Sequence, residues 1–259
     1  MRIGIFVTAL AVTGLLWCQS APRLGGYLGK AEMPEVLRIV PPAPAAGDPR
    51  FTADMAIFHA TRSMEGSPRW ALAQADDNVT LAGLYKAFSC SLGITLTRAN
   101  APKTTELVTR AMADAASAAN TVKQAYQHKR PFQVEDAKVC VSPAGRAALE
   151  RNPDYPSGHT AASWEVGLVL SELVPDETTT LLARARAFGQ SRVVCGVHNA
   201  SAVEAGWMTA SSVFAAQNAS PAFRADVEAA RPELTALLAK SPKPEGCDLE
   251  QKTLSVNPY

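Results

Sequence analysis

Four dipeptides constrain this chain more than any other feature: Asp48-Pro49, Ser67-Pro68, Ser142-Pro143 and Ser220-Pro221. Each places a capping side chain directly before a proline. Proline's fixed φ and missing N–H suit the first position of a helix and few others. Ala and Leu then recur at helical spacing. Leu107, Ala111, Ala115, Ala118, Val122 and Tyr126 advance in steps of three or four, which is one stripe of a helix. Alternating β-branched runs bounded by tight turns are scarce. The expected fold class is therefore all-α, a single compact domain of roughly eight to ten helices at ordinary helix lengths. Prolines 34, 41, 42 and 44 predict an extended lead-in over residues 31–47, and the tail from Ser241 is expected to be irregular, with Cys247 pinning it to the body.

The first residues read as a leader. Met1-Arg2 is a short positive start, and Ile3 to Trp17 is apolar but too short to cross a bilayer comfortably. Cys18 and Ser20 are small residues suited to cleavage before Ala21. The expected division is a signal peptide at residues 1–20 and one domain at residues 21–259, periplasmic or secreted. Four cysteines remain after such a cut: Cys90, Cys140, Cys195 and Cys247. An even number in an exported chain predicts two disulfides, with three pairings open. A net charge of +1 gives no reason to expect a nucleic acid or an anionic membrane as partner. The apolar run from Ala161 to Val174 contains Glu165 and Glu172, so it reads as a buried helix and not as a span.

Three segments carry chemistry. Lys123 is followed seven residues later by Arg130-Pro131, close to two helical turns, which predicts two cations on one helix face at its end. His128 and Lys129 are expected at the surface. In Tyr155-Pro156-Ser157-Gly158-His159, Ser157 is expected to cap the apolar helix. Gly158 lets backbone approach a ligand, and the free N–H groups of a helix start attract an anion. In the third, Ser191-Arg192 supplies a guanidinium fork suited to phosphate oxygens, and His198 follows. Ser201 and Glu204 have capping-box spacing, which predicts a helix starting at Ser201 and an exposed His198 ahead of it.

Together these segments resemble the three-part signature of the acid phosphatase and vanadium haloperoxidase superfamily. The flanking runs Arg130-Pro131-Phe132, Tyr155 to Thr160 and Ser191 to His198 are most similar to the bacterial class A acid phosphatases, as are the early proline-rich stretch and Phe88-Ser89-Cys90. The resemblance implies a helical domain of that type and a broad-specificity phosphomonoesterase that needs neither metal nor cofactor. It implies Lys123, Arg130, Ser157, Gly158 and Arg192 as substrate-binding residues. His198 would be the nucleophile that becomes phosphohistidine, and His159 the acid and base. Phosphomonoesters are the expected partners, with no membrane contact after leader removal; self-association is left open.

One departure bears directly on catalysis. Such enzymes carry an Asp four residues after the nucleophilic His, where it orients the imidazole; here that residue is Ala202. Asn199 stands where an aromatic residue is usual, and Trp207 where Arg is usual. Ser201 or a backbone carbonyl is left to accept the imidazole's hydrogen bond, Glu204 being assigned to the capping box. The departure leaves one alternative, a phosphate-binding protein with weakened chemistry; the anion cage shared across the superfamily leaves another, a haloperoxidase with vanadate held by His198.

Overall fold

The computed structural model describes residues 25–259, so the leader expected at residues 1–20 lies outside it. The described chain is helical: α1 (Val36–Ile39), α2 (Pro49–Arg62), α3 (Pro68–Ala75), α4 (Leu81–Leu92), α5 (Pro102–Tyr126), α6 (Pro131–Val134), α7 (Pro143–Glu150), α8 (Gly158–Leu173), α9 (Thr178–Val194), α10 (Ala200–Gln217), α11 (Pro221–Leu238) and α12 (Cys247–Leu254). All four cap-proline dipeptides start helices. Asp48, Ser67, Ser142 and Ser220 accept hydrogen bonds from the N–H groups of Arg50, Trp70, Gly145 and Phe223.

Some expectations need correction. The tail is not irregular throughout, because α12 forms within it. The lead-in contains the one-turn α1. Arg130 does not share a helix with Lys123: α5 ends at Tyr126, with Gln127 in the left-handed region at φ 45°, and Arg130 is extended ahead of α6. Pro131 explains this, since a residue before proline is driven out of the α region. Helix α10 starts at Ala200 after Asn199, one residue earlier than the capping-box reading. The Ser201 hydroxyl bonds instead to Asp54 Oδ2 on α2 (2.5 Å), and the Ser201 N–H to Asp54 Oδ1 (2.8 Å).

Helix α8 lies at the centre, packed against α5, α9 and α10. It has apolar residues on all sides, as a helix surrounded by others must. Its Glu165 is fully buried; burial, and then Asp114, push this carboxyl well above the usual range, so it enters the core protonated. Two glycines set how closely α9 and α10 approach the start of α8. A Cβ on Gly206 would fall 2.8 Å from Thr160 Cβ and 2.9 Å from the Ser157 carbonyl, and one on Gly189 would fall 2.9 Å from Thr160 Cγ2. The Gly206→Ala variant is accordingly expected to lose about 1–3 kcal/mol of stability and to lower activity by displacing the Ser157 turn, read by urea unfolding and initial rates.

The disulfides join Cys90 to Cys247 and Cys140 to Cys195. The first holds α12 on α4, as expected for Cys247. There Glu250 reaches Arg184 Nε (3.0 Å), whose other nitrogens clasp the buried Asp76 at 2.6 and 3.1 Å. Asp76 also accepts from the Ser191 hydroxyl at 2.6 Å, and that oxygen accepts from Arg69 at 2.8 Å. This network fixes the turn after α3 against the end of α9, directly beneath Arg192.

Candidate active site

The three segments meet where the start of α8, the end of α9 and the start of α10 converge. Ser157 caps α8: its Oγ accepts from the Thr160 N–H at 3.3 Å. Its own N–H donates to the Ala202 carbonyl at 2.8 Å, tying this turn to α10. The N–H groups of Gly158 and His159 have no protein partner among the described residues, and they are the donors a helix start offers to an anion.

Arg192 is fully buried at the last turn of α9. Its Nη1 donates to Asp77 Oδ1 at 2.8 Å, while Nε and Nη2 have no protein partner. Those two donors form one edge of the guanidinium, the edge that grips an anion bidentately. The Arg192 carbonyl accepts from the N–H groups of Val197 (3.1 Å) and His198 (3.3 Å), which folds the intervening loop back on the helix end. Arg130 is also buried, and its Nη1 donates to the Val197 carbonyl at 2.6 Å and to His198 Nε2 at 3.1 Å. Lys123 brings its Cε to 3.9 Å from where a Gly158 Cβ would be, and its ammonium bonds to the Pro153 carbonyl. Burial and the neighbouring Arg130 pull this ammonium down to about 7, a shift that a bound anion would reverse. The site thus has an excess of buried positive charge and unfilled donors.

His198 is buried, only 2% exposed, and not at the surface as the capping-box reading implied. Its Nδ1 lies 2.8 Å from Asp154 Oδ1. Asp154 is fully buried and gathers three residues. Asn199 donates to it through Nδ2 at 2.9 Å and its N–H at 3.3 Å, and His128 Nδ1 lies 3.2 Å from Oδ2. Neither Ser201 nor Glu204 takes the place of the Asp absent at position 202. Burial alone would raise the Asp154 carboxyl, but hydrogen bonds from His128 and His198 outweigh it and hold the group well below the usual carboxylate range. A carboxylate can only accept, so His198 carries its proton on Nδ1 and keeps a lone pair on Nε2, where Arg130 donates. Burial, then Arg130, push His198 well below its ordinary value, so the ring is neutral. His128 is not a free surface residue either. Its other ring nitrogen is 2.9 Å from the Pro44 carbonyl, and the bond to Asp154 raises its pKa.

His159, in the first turn of α8, donates from Nε2 to the Asp77 carbonyl at 3.0 Å. Burial, then Arg192, lower its pKa well below the ordinary value. Its side chain remains 21% exposed and that of Asp77 42%, so these two residues mark the opening while the cations lie behind them.

Sequence reasoning missed Asp154 and Asp77. Asp154 immediately precedes the segment that begins at Tyr155, and a carboxylate so near a candidate anion site was the available signal. Asp77 had none, since it arrives from the turn after α3.

Residues 107–222 match the PAP2 superfamily. The chain is 34% identical to an acid phosphatase of Zymomonas mobilis over 97% of its own length and 98% of the relative's. It is 33% identical to non-specific acid phosphatases of Providencia stuartii and Salmonella typhi, over 82% and 80% of its length and 85% and 84% of theirs.

Proposed function

We infer that this chain, which belongs to the acid phosphatases of the PAP2 superfamily, hydrolyses a broad range of phosphomonoesters through a phosphohistidine formed on His198. The observation that carries this reading is the His198–Asp154 contact at 2.8 Å, deep in a site rich in cations. It leaves Nε2 as a fixed, unprotonated nucleophile and supplies the orienting carboxylate whose apparent loss at Ala202 favoured a weakened binding protein. That the relatives are acid phosphatases favours a hydrolase over a haloperoxidase.

The phosphoryl oxygens lie among Lys123, Arg130, the free edge of Arg192 and the N–H groups of Gly158 and His159. Ser157 sets that turn, and its hydroxyl hydrogen is free to donate. These groups oppose charge that grows in the transition state. His198 Nε2 attacks phosphorus, the ester P–O bond breaks, and His159 delivers a proton to the departing oxygen. Asp154 then faces a cationic, phosphorylated imidazole, which it stabilises. Water attacks the phosphohistidine, His159 takes the water's proton, and the P–N bond returns its electron pair to Nε2. The chain's own cations balance the phosphate. Two disulfides support our placing of the mature chain outside the reducing cytoplasm, and no described helix is long and apolar enough to cross a membrane.

Mixing enzyme with a 32P-labelled monoester and quenching in alkali tests the intermediate. Label is expected on the peptide containing His198, stable to base and released by acid. Hydrolysis with label on no histidine, under conditions that accumulate other acyl or phosphoryl enzymes, would overturn it. The pH profile gives a second test. His159 must be protonated to serve as the acid, yet its pKa in the free enzyme is held below the ordinary value. A bound phosphate dianion stabilises the imidazolium and raises that pKa. The basic limb of kcat/KM, which reports the free enzyme, is expected below about 6.5, and the limb of kcat at higher pH. Coincident limbs would remove His159 from that role.

A further inference from the structure

We propose that Asp77 selects substrates by the charge of their leaving group, favouring phosphomonoesters of amino alcohols and neutral alcohols over those carrying a second anion. The inference rests on the phosphatase reading and deepens it. His159 marks the side from which the alcohol departs, because it must reach the leaving oxygen. Asp77 sits on that side: its carbonyl accepts from His159 Nε2 at 3.0 Å, and its carboxylate oxygen lies 3.9 Å from the same nitrogen. It is also half-exposed at the opening, where the non-reacting part of a substrate must lie.

Binding of phosphate leaves the Asp77 carboxylate in place. Asp77 holds Arg192 by Nη1 alone, and the donors left for the phosphoryl group are Nε and Nη2 on another edge of the guanidinium. One Arg therefore serves both anions, and the carboxylate remains beside the bound substrate. Its position is fixed by its neighbour, since Asp76 is locked to Arg184 and Ser191 in the buried network. The result is a phosphate cage of buried cations with a negative charge at its entrance. An ammonium on the alcohol is attracted to it and a carboxylate repelled. At separations of about 6 Å and an effective dielectric constant of about 40, each unit charge changes kcat/KM by roughly tenfold.

Phosphoethanolamine, glycerol 1-phosphate and phosphoglycolate are all esters of primary alcohols and carry an ammonium, hydroxyl groups and a carboxylate respectively. The wild-type chain is expected to rank them in that order by kcat/KM. Asp77→Asn keeps an oxygen that can accept from Arg192 and removes the charge. It is expected to lower the ratio of the first to the third by tenfold or more, and high salt to compress the wild-type ratio in the same direction. Unchanged ratios in Asp77→Asn, or equal losses on all three esters, would overturn the proposal. Wild-type enzyme that cleaves none of the three, nor p-nitrophenyl phosphate, would instead overturn the phosphatase reading on which it rests.

Discussion

Asp154→Asn is expected to lower kcat by roughly 10²–10⁴-fold while changing KM by no more than a few-fold. The range is bounded by what removing an orienting carboxylate costs a catalytic histidine and by what loss of a supporting partner costs a metal-bound one. Asp154 touches no phosphoryl oxygen in this arrangement, so the phosphate cage survives its loss. An Asn at 154 can present an amide N–H to Nδ1 and favour the wrong tautomer, with the proton on Nε2 and no lone pair for phosphorus. It also removes the negative charge that stabilises the cationic phosphohistidine. Steady-state kinetics beside competitive inhibition by inorganic phosphate, which needs the cations and not a bond to Nε2, separate this from misfolding: a folded variant is still inhibited by phosphate. A kcat within threefold of wild type would show that His198 is oriented by something else. The low carboxyl pKa matters for an acid phosphatase. The unfolded value is about 3.9 and the folded value is depressed. The stability that Asp154 contributes is therefore fully present above the unfolded value and lost only as pH falls through the lower folded one. The carboxylate persists through the acidic range in which His159 holds its proton.

The helices were legible because local chemistry decides them. A cap followed by proline works within one turn, and all four such pairs start helices where expected. The convergence of Lys123, Arg130, His159, Arg192 and His198 was legible because they lie in three short segments at or beside helix ends. What failed depended on longer-range competition. Ser201 and Glu204 have the spacing of a capping box, but Asp54, distant in sequence, takes both the hydroxyl and the N–H of Ser201. His198 was expected at the surface because turns are usually exposed, and here Val197 beside it lies in an apolar cluster with Trp70 of α3, Phe132 of α6 and Leu149 of α7. The disulfide pairing was open because it depends on how α12 returns to α4. Asn199 and Ala202 both depart from the family pattern around His198. Around Asp154 they belong together: Asn199 donates to the carboxylate twice, and Ala202 leaves no second carboxylate beside it.

That relation makes Ala202→Asp harmful in the wild-type chain, although it restores the residue usual in related enzymes. Ala202 is fully buried and its methyl group packs with Ala118, Val122, Tyr155 and Ala205. A carboxylate there must lose its hydration among apolar neighbours, which include Tyr155, the residue after Asp154. The imidazole has a single Nδ1–H, already given to Asp154, so the newcomer has nothing to accept from His198. The expected cost is about 2–4 kcal/mol of stability, as for a buried charge without a partner, with a fall in kcat of tenfold or more as the two carboxylates compete. The same substitution behaves differently once Asp154 is gone. With Asp154→Ser and Ala202→Asp combined, one carboxylate again faces Nδ1, now from the helix that follows His198, and like-charge repulsion is absent. The double variant is expected to recover at least tenfold in kcat over Asp154→Ser alone, although each change alone is damaging. Such a sign reversal is a coupling between contacting residues that independent effects cannot produce. It is measured as a double-mutant cycle in kcat, with urea unfolding on the same four proteins. Additive losses would mean that position 202 cannot address the imidazole in this chain, and that Asp154 is a local device of its own and not the usual carboxylate moved to the opposite side of the ring.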